Sequence, residues 1–158
     1  MTAEFDELEK DIMADMRNIY TEIAIDHAMN PRNVGSMPKA DGFGSVTGSC
    51  GDTMQIWLMV RNNTIIDATF WTDGCGASIA AGSMVTGMAK EKSIREAKKI
   101  TCQDVLDSLG GLPEENLHCA LLATDTLREA IKGCLSSKSG TQKIEQASPI
   151  QGITFKYG

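Results

Sequence analysis

The chain has 158 residues, of which 42% are hydrophobic and 23% charged, with a formal net charge of −6 at pH 7. These values are typical of one folded domain with a buried core and exclude a disordered chain. The acidic balance, without a lysine and arginine stripe, counts against nucleic-acid binding and favours docking onto a basic protein partner.

The sequence predicts neither a signal peptide nor a membrane segment. Residues 1–10 are acidic and lack the basic start and apolar stretch of a signal peptide. The longest apolar run, Ile56 to Val60, is too short to cross a bilayer. We therefore expect a cytoplasmic protein whose five cysteines are reduced and serve as metal ligands, nucleophiles or core residues.

Two helices and a loop are predicted at the N-terminal end. Apolar residues recur at helical spacing in residues 1–18, which predicts an N-terminal helical extension. The stripe consists of Phe5, Leu8, Ile12 and Met16. A second helical pattern covers about residues 19–29 and stops there, because Pro31 disfavours a helical conformation in the residue before it. The glycines and prolines of residues 30–44 predict a loop.

Two stretches of alternating apolar and polar residues flank residues 62–64 and predict an antiparallel strand pair. A three-residue loop at 62–64, or a bulge, sets Ile56 opposite Phe70 and Val60 opposite Ile66. A regular two-residue turn would instead mix apolar and polar residues on both faces. We prefer the first register because it makes one face of the pair wholly apolar.

The opposite face of this strand pair carries Trp57 and Trp71. Two tryptophans on an outer face indicate that a tail, a helix or a partner protein covers them. A third strand is predicted near residues 43–47.

The period changes to that of a helix after the strand pair. The apolar stripe consists of Ala77, Ala80, Ala81, Met84, Val85 and Met88. Capping-box patterns at residues 93–96 and 101–104 predict two short helices, and residues 113–135 predict a long one.

This order of elements predicts an α+β fold, in which a small antiparallel sheet of about three strands has helices packed on one face. We divide the chain into the extension at 1–18, a domain at 19–135 and a partly flexible C-terminal tail at 136–158. Within the tail, residues 153–157 alternate and predict a small strand.

Three cysteines lie where elements are predicted to begin or end. Cys50 and Cys75 have glycine neighbours, which allow the backbone to approach a bulky bound group, and Cys119 lies near the start of the last long helix. A helix N-terminus lowers the pKa of a thiol, which favours a thiolate at Cys119 and also at Cys75.

The residue types alone leave the ligand open. Three thiolates with Asp52 or His118 as the fourth donor suit tetrahedral zinc, and they also suit a 2Fe–2S cluster. We interpret Cys102 and Cys134 as core residues, because free cysteine is among the most buried residue types. His27 is interpreted as a structural residue of its helix.

Four ordered motifs closely resemble the IscU/NifU-type family of iron–sulfur cluster scaffolds. They lie at residues 20–35, 50–54, 73–76 and 117–123, and the resemblance covers about residues 19–135. The second reads Cys-Gly-Asp-Thr-Met, the third Asp-Gly-Cys-Gly and the fourth Leu-His-Cys-Ala-Leu-Leu-Ala.

The resemblance implies a role for each site residue. Cys50, Cys75 and Cys119 match the three cluster cysteines, and Cys119 matches the usual persulfide acceptor. Asp52 matches an aspartate that tunes cluster lability and is itself a candidate ligand, and His118 matches the histidine beside the third cysteine. The fourth ligand is therefore Asp52, His118 or a partner's cysteine.

The resemblance also implies the function and its partners. It implies a scaffold, not a turnover enzyme, that builds a transient 2Fe–2S cluster from Fe²⁺ and sulfur supplied by a cysteine desulfurase. Further implied partners are a frataxin-like iron donor or a ferredoxin, and apo-proteins that receive the cluster. The resemblance also implies that Zn²⁺ can bind in the same pocket.

The sequence departs from the family at Leu112–Asn116, which reads Leu-Pro-Glu-Glu-Asn where Leu-Pro-Pro-Val-Lys is common. The second proline and the lysine are missing, which counts against the dedicated chaperone pair that binds this motif. A cysteine-rich C-terminal domain is not seen, as in the stand-alone scaffolds. The short interval from Cys75 to Cys119 disfavours the zinc-dependent subtype, which has an insertion there.

The alternative function is a zinc-binding sulfur acceptor that activates a cysteine desulfurase without building a cluster. Thiol redox catalysis is disfavoured because the sequence holds no Cys-x-x-Cys pair.

Overall fold

The computed structural model describes residues 2–139, which form six α-helices and three β-strands. The elements are α1 (Thr2–Ile19), α2 (Glu22–Met29), β1 (Gly42–Thr47), β2 (Thr53–Arg61), β3 (Thr64–Thr72), α3 (Gly76–Ala89), α4 (Ile94–Lys98), α5 (Cys102–Leu109), a 3-10 turn (Glu114–Asn116) and α6 (Leu117–Ser139). The strands form one antiparallel sheet in the order β1-β2-β3. Helices α3 and α6 pack against this sheet, so the predicted α+β fold is confirmed. The predicted strand at 153–157 lies outside the described residues.

The register of β2 and β3 follows the prediction over most of its length. Ile56 pairs with Phe70 and Leu58 with Ala68, and all four side chains are buried. These side chains form the centre of the core because α3 and α6 cover the same face.

The end of the strand pair has the predicted bulge and not the three-residue loop. The turn has only two residues, 62–63, both in the left-handed conformation that a tight hairpin of this hand requires. The bulge that was predicted as the alternative to a longer loop is confirmed: it lies between the Met59 and Val60 pairs, leaves Ile66 as the extra residue of β3 and sets Val60 opposite Ile65. The prediction for Ile66 was therefore wrong: Ile65 is fully buried and Ile66 is exposed.

The outer face of the sheet is covered by the loop that precedes β1. Trp57 is almost completely buried and packs with Met37 and Ala40 of that loop. The ring of Phe43 lies 5.3 Å from the Trp57 ring, and Trp71 is half-buried beside this second cluster. The predicted covers were a tail, a helix or a partner protein, and the loop that covers Trp57 was not among them.

Helix α6 lies unusually close to β1. A Cβ atom at Gly42 would collide with the Cys134 sulfur, and one at Gly44 would collide with the backbone of Ala130. Only glycine therefore fits at these two positions of β1. The contact buries Cys134, as predicted, and fixes the direction in which α6 runs toward the end of the sheet.

Some helix ends differ from the predicted ones. Helix α1 continues to Ile19, and α2 begins only after Thr21, whose hydroxyl accepts a hydrogen bond from Ala24 N. Helix α6 begins at Leu117 and continues to Ser139, so the first four residues of the predicted tail are helical. Both predicted capping boxes are confirmed, at α4 and at α5.

The apolar stripe of α1 is exposed at Phe5, Leu8 and Ile12. Met16 alone, of the predicted stripe, lines a pocket shared with α2 and α3. Among residues 2–139, no helix combines the length and apolar character needed to cross a membrane.

Candidate metal centre

The turn between β1 and β2 presents Cys50 to solvent. The Gly48 N–H donates a hydrogen bond to the Asp52 carbonyl (2.8 Å), and the Gly51 N–H donates one to the Gly48 carbonyl (3.0 Å). Gly51 has a φ of 91°, which other residues rarely adopt. The turn is thus held by its own backbone, and the side chains of Cys50 and Asp52 project from it.

Cys50, Asp52 and His118 form a group whose ligand atoms all lie within 4.8 Å of one another. The Cys50 Sγ lies 2.9 Å from His118 Nε2 and 3.8 Å from Asp52 Oδ2. The same Nε2 lies 3.7 Å from Cys119 Sγ. The His118 imidazole therefore lies between the thiols of Cys50 and Cys119. The Asp52 carboxylate lies at the same edge of the domain.

Cys75 is the N-cap residue of α3 and is exposed. Burial raises the pKa of its thiol, but backbone N–H groups of Ser78 and Ala77, the Ser78 side chain and a hydrogen bond with Cys119 lower it more. The net shift of the Cys75 pKa is downward. Because the thiolate is the form that binds metal, the lowered pKa favours Cys75 as a candidate ligand.

Cys119 is the third residue of α6, and its side chain is fully buried. Burial raises the pKa of its thiol from 9.0 to about 11; a hydrogen bond from Ser78 opposes this shift, and the charge of Cys75 adds to it. The expected thiolate at Cys119 was wrong for the metal-free protein, because desolvation outweighs the helix N-terminus. For Cys75 the pKa is shifted in the expected direction.

Ser78 was missed by the sequence analysis. Its hydroxyl donates a hydrogen bond to Cys119 Sγ over 3.3 Å, and the side chain is fully buried. A Cβ atom at Gly74 would collide with Ser78 and approach Asp52 Oδ2 to 3.0 Å, so this glycine leaves the space that both side chains use. The available signal was spacing, since residues three apart on a helix share a face.

Tyr20 marks the other border of the site. Its hydroxyl donates a hydrogen bond to Asn116 Oδ1 (3.3 Å). Burial raises its pKa, and the negative charges of Cys75 and Glu115 raise it further, which places the ring near these groups. An apolar pocket of about 70 Å³ lies between Tyr20 and Gly76, next to Cys75.

The remaining predicted residues lie elsewhere. His27 Nδ1 lies 2.7 Å from Ser83 Oγ, which also accepts a hydrogen bond from Arg32 N, so this histidine has a structural contact. Cys102 is half-buried at the first position of α5 and packs against the core.

Three thiols, one carboxylate and one imidazole thus meet at one end of a small α+β domain. Thiolate, imidazole and carboxylate are the donors of zinc sites, and thiolates are those of iron–sulfur clusters, so the residues present fit either cargo. The fold and the donors define a small α+β domain with a cysteine-containing candidate metal site. More particularly, the chain belongs to the family of NifU-like N-terminal domains, whose model matches residues 19–140.

Relatives from distant organisms share most of the chain. The iron–sulfur cluster assembly scaffold protein IscU 1 of Archaeoglobus fulgidus is 46% identical over 129 residues, which cover 81% of this chain and 84% of the relative. The scaffold protein IscU of Aquifex aeolicus is 42% identical over 134 residues, with 83% of each chain covered. The crystal structure of the N-terminal part of a NifU-like protein from Brucella abortus has a TM-score of 0.59 and 18% identity, and it covers 77% of this chain and 97% of its own. This last similarity supports the fold alone.

Proposed function

We propose that this chain is a scaffold on which a 2Fe–2S cluster is assembled and from which it is transferred to apo-proteins. The observation that carries the proposal is the meeting of three thiols, two exposed and one buried, with weaker oxygen and nitrogen donors at one edge of the domain. The names of the relatives, which are cluster assembly scaffolds, support the same function.

Cys50, Cys75 and Cys119 are the proposed thiolate ligands of the cluster. Metal binding must remove the proton of Cys119, whereas Cys75 needs less help because its pKa is lowered. Asp52 or His118 supplies the fourth position in the isolated chain. A carboxylate or imidazole in place of a fourth thiolate makes the cluster easier to release, which is what a scaffold requires.

Cys119 is the proposed persulfide acceptor. Its thiolate attacks the outer sulfur of a persulfide on a cysteine desulfurase; a sulfur–sulfur bond forms at Cys119, and the desulfurase cysteine leaves as a thiolate. Because the Cys119 side chain is fully buried, this step requires the site to open when the partner docks.

The other proposed partners follow from the same chemistry. Iron and electrons come from a frataxin-like donor and a ferredoxin, and apo-proteins receive the cluster. The segment Leu112–Asn116 ends in a 3-10 turn that leads directly into α6. Its sequence still counts against the dedicated chaperone pair.

Anaerobic reconstitution with iron and sulfide, followed by absorption spectroscopy, tests this function. We expect a 2Fe–2S spectrum for the wild type and its loss in each of Cys50→Ser, Cys75→Ser and Cys119→Ser. Cys102→Ser is the matched control and should retain the spectrum, because Cys102 lies outside the site. Unchanged cluster formation in all three site variants would refute the proposal.

A second candidate is the zinc-binding sulfur acceptor that activates a desulfurase. The close group of Cys50, Asp52 and His118 favours it, because these donors suit tetrahedral zinc. Metal analysis after aerobic and anaerobic purification distinguishes the two functions. Stoichiometric zinc that iron and sulfide cannot displace would favour the second.

A further inference from the structure

We propose that Ser78 is a positioning residue of the metal site, whose hydroxyl holds the Cys119 sulfur as a charged ligand in a place that water does not reach. This inference rests on the proposed function in one respect, namely that Cys119 is a ligand. Ser78 itself is not proposed to touch the metal.

The geometry of Ser78 is fixed from two sides. It is the third residue of α3, and its backbone N–H donates a hydrogen bond to the Cys75 carbonyl (2.9 Å). Its hydroxyl donates to Cys119 Sγ over 3.3 Å, and both side chains are fully buried. Ser78 therefore connects the helix that carries one proposed ligand with the helix that carries another.

The hydroxyl of Ser78 bonds to a residue of another helix and not to a carbonyl of its own helix. Buried serine and threonine side chains in helices commonly bond to the carbonyl one turn before them. Thr86 in the same helix does so with Gly82 O (2.7 Å), and Thr126 in α6 does so with Leu122 O (2.7 Å). The hydroxyl of Ser78 is instead directed across the helix interface to a sulfur atom.

A thiolate at Cys119 needs this donor more than the other two ligands do. Cys50 and Cys75 are exposed, so water stabilises their charge, whereas Cys119 has lost that water. A buried charge is costly unless hydrogen bonds replace its hydration. Partners of metal ligands commonly change metal affinity 10- to 100-fold when they are removed.

Cobalt(II) titration of the full-length, metal-free protein tests the inference, because cobalt-bound thiolates give a sulfur-to-metal charge-transfer band. We expect Ser78→Ala to weaken Co²⁺ binding about tenfold. We also expect its charge-transfer band to move to longer wavelength, since a sulfur atom that loses a hydrogen bond becomes a better electron donor. Ser83→Ala is the matched control: Ser83 is equally buried in α3, but it bonds to His27 and Arg32.

The control should keep both the affinity and the band of the wild type. A Ser78→Ala protein with an unshifted band would overturn the inference, even with weaker binding, since weaker binding alone indicates only a packing role. The band is measured only on folded, metal-bound protein. It therefore distinguishes a positioning role from a packing role even if the variant is less stable. Cobalt binding needs neither iron nor sulfide. A failure of cluster reconstitution would therefore refute the proposed function separately.

Discussion

The two cysteines that face each other at the site should differ strongly in their reaction with an alkylating reagent. Iodoacetamide reacts with thiolates, so its rate follows the thiolate fraction and the exposure of the sulfur atom. Cys75 is exposed and has a lowered pKa, whereas Cys119 is fully buried and has a pKa of about 11. We expect Cys75 to be alkylated before Cys119 in the metal-free, reduced protein.

The size of the difference follows from the pKa values. A pKa of about 11 in place of 9.0 lowers the thiolate fraction of Cys119 about a hundredfold at neutral pH. Burial slows the reaction of Cys119 further, and the lowered pKa of Cys75 accelerates its reaction. The ratio of the two rates should therefore exceed about a hundredfold.

Peptide mass spectrometry after short pulses of iodoacetamide measures both rates across a pH series. The Cys75 rate should reach its plateau at a lower pH than that of a free thiol, because a lowered pKa means that the thiolate persists at lower pH. The Cys119 rate should still be rising at pH 10. Equal rates at pH 7.5 in the folded protein would refute the assignment of the proton to Cys119. Urea-unfolded protein is the control, because the two cysteines should react at equal rates once both are exposed.

Four stability predictions accompany this one, each checked by urea unfolding of the metal-free protein. Gly44→Ala should lower the free energy of unfolding by about 1–3 kcal/mol, because its Cβ would overlap the backbone of Ala130. Gly87→Ala, with open space at an exposed position of α3, should instead raise it by about 0.5–1 kcal/mol; equal effects of the two alanines would contradict the packing argument. Thr101→Ala should cost about 1 kcal/mol through loss of the α5 capping box, and an unchanged midpoint would contradict this. Deletion of residues 2–15 should leave the midpoint nearly unchanged, since the stripe of α1 is exposed; a large loss would show that the extension packs on the domain.

The fold was predictable where one face of an element is apolar. The alternation in β2 and β3 was sufficient to pair Ile56 with Phe70, because any other register would bury polar side chains. The same reasoning failed at Ile66, because a bulge changes the face of each residue beyond it and the sequence did not fix the position of the predicted bulge. The loop over Trp57 could not be predicted, since irregular segments have no period.

The site was predictable as a set of residues but not as a set of charges. Glycines and motif order singled out Cys50, Cys75 and Cys119, and the structure brings all three to one edge. Position on a helix suggested a thiolate at Cys119, but the charge of a thiol also depends on how deeply it is buried. That depth follows from the packing of α6 on the sheet, which local sequence does not contain.

The close contact between α6 and β1 affects the position of Cys119, although the contact lies about three helical turns away from that residue. Ala130, which rests against Gly44, lies eleven residues after Cys119 in sequence, which corresponds to a lever arm of about 16 Å along the helix. A tilt of about 5° at this pivot would displace the Cys119 sulfur by roughly 1.4 Å, a large part of a metal–ligand bond length. The glycines of β1 can therefore set how accurately the proposed ligand Cys119 is placed.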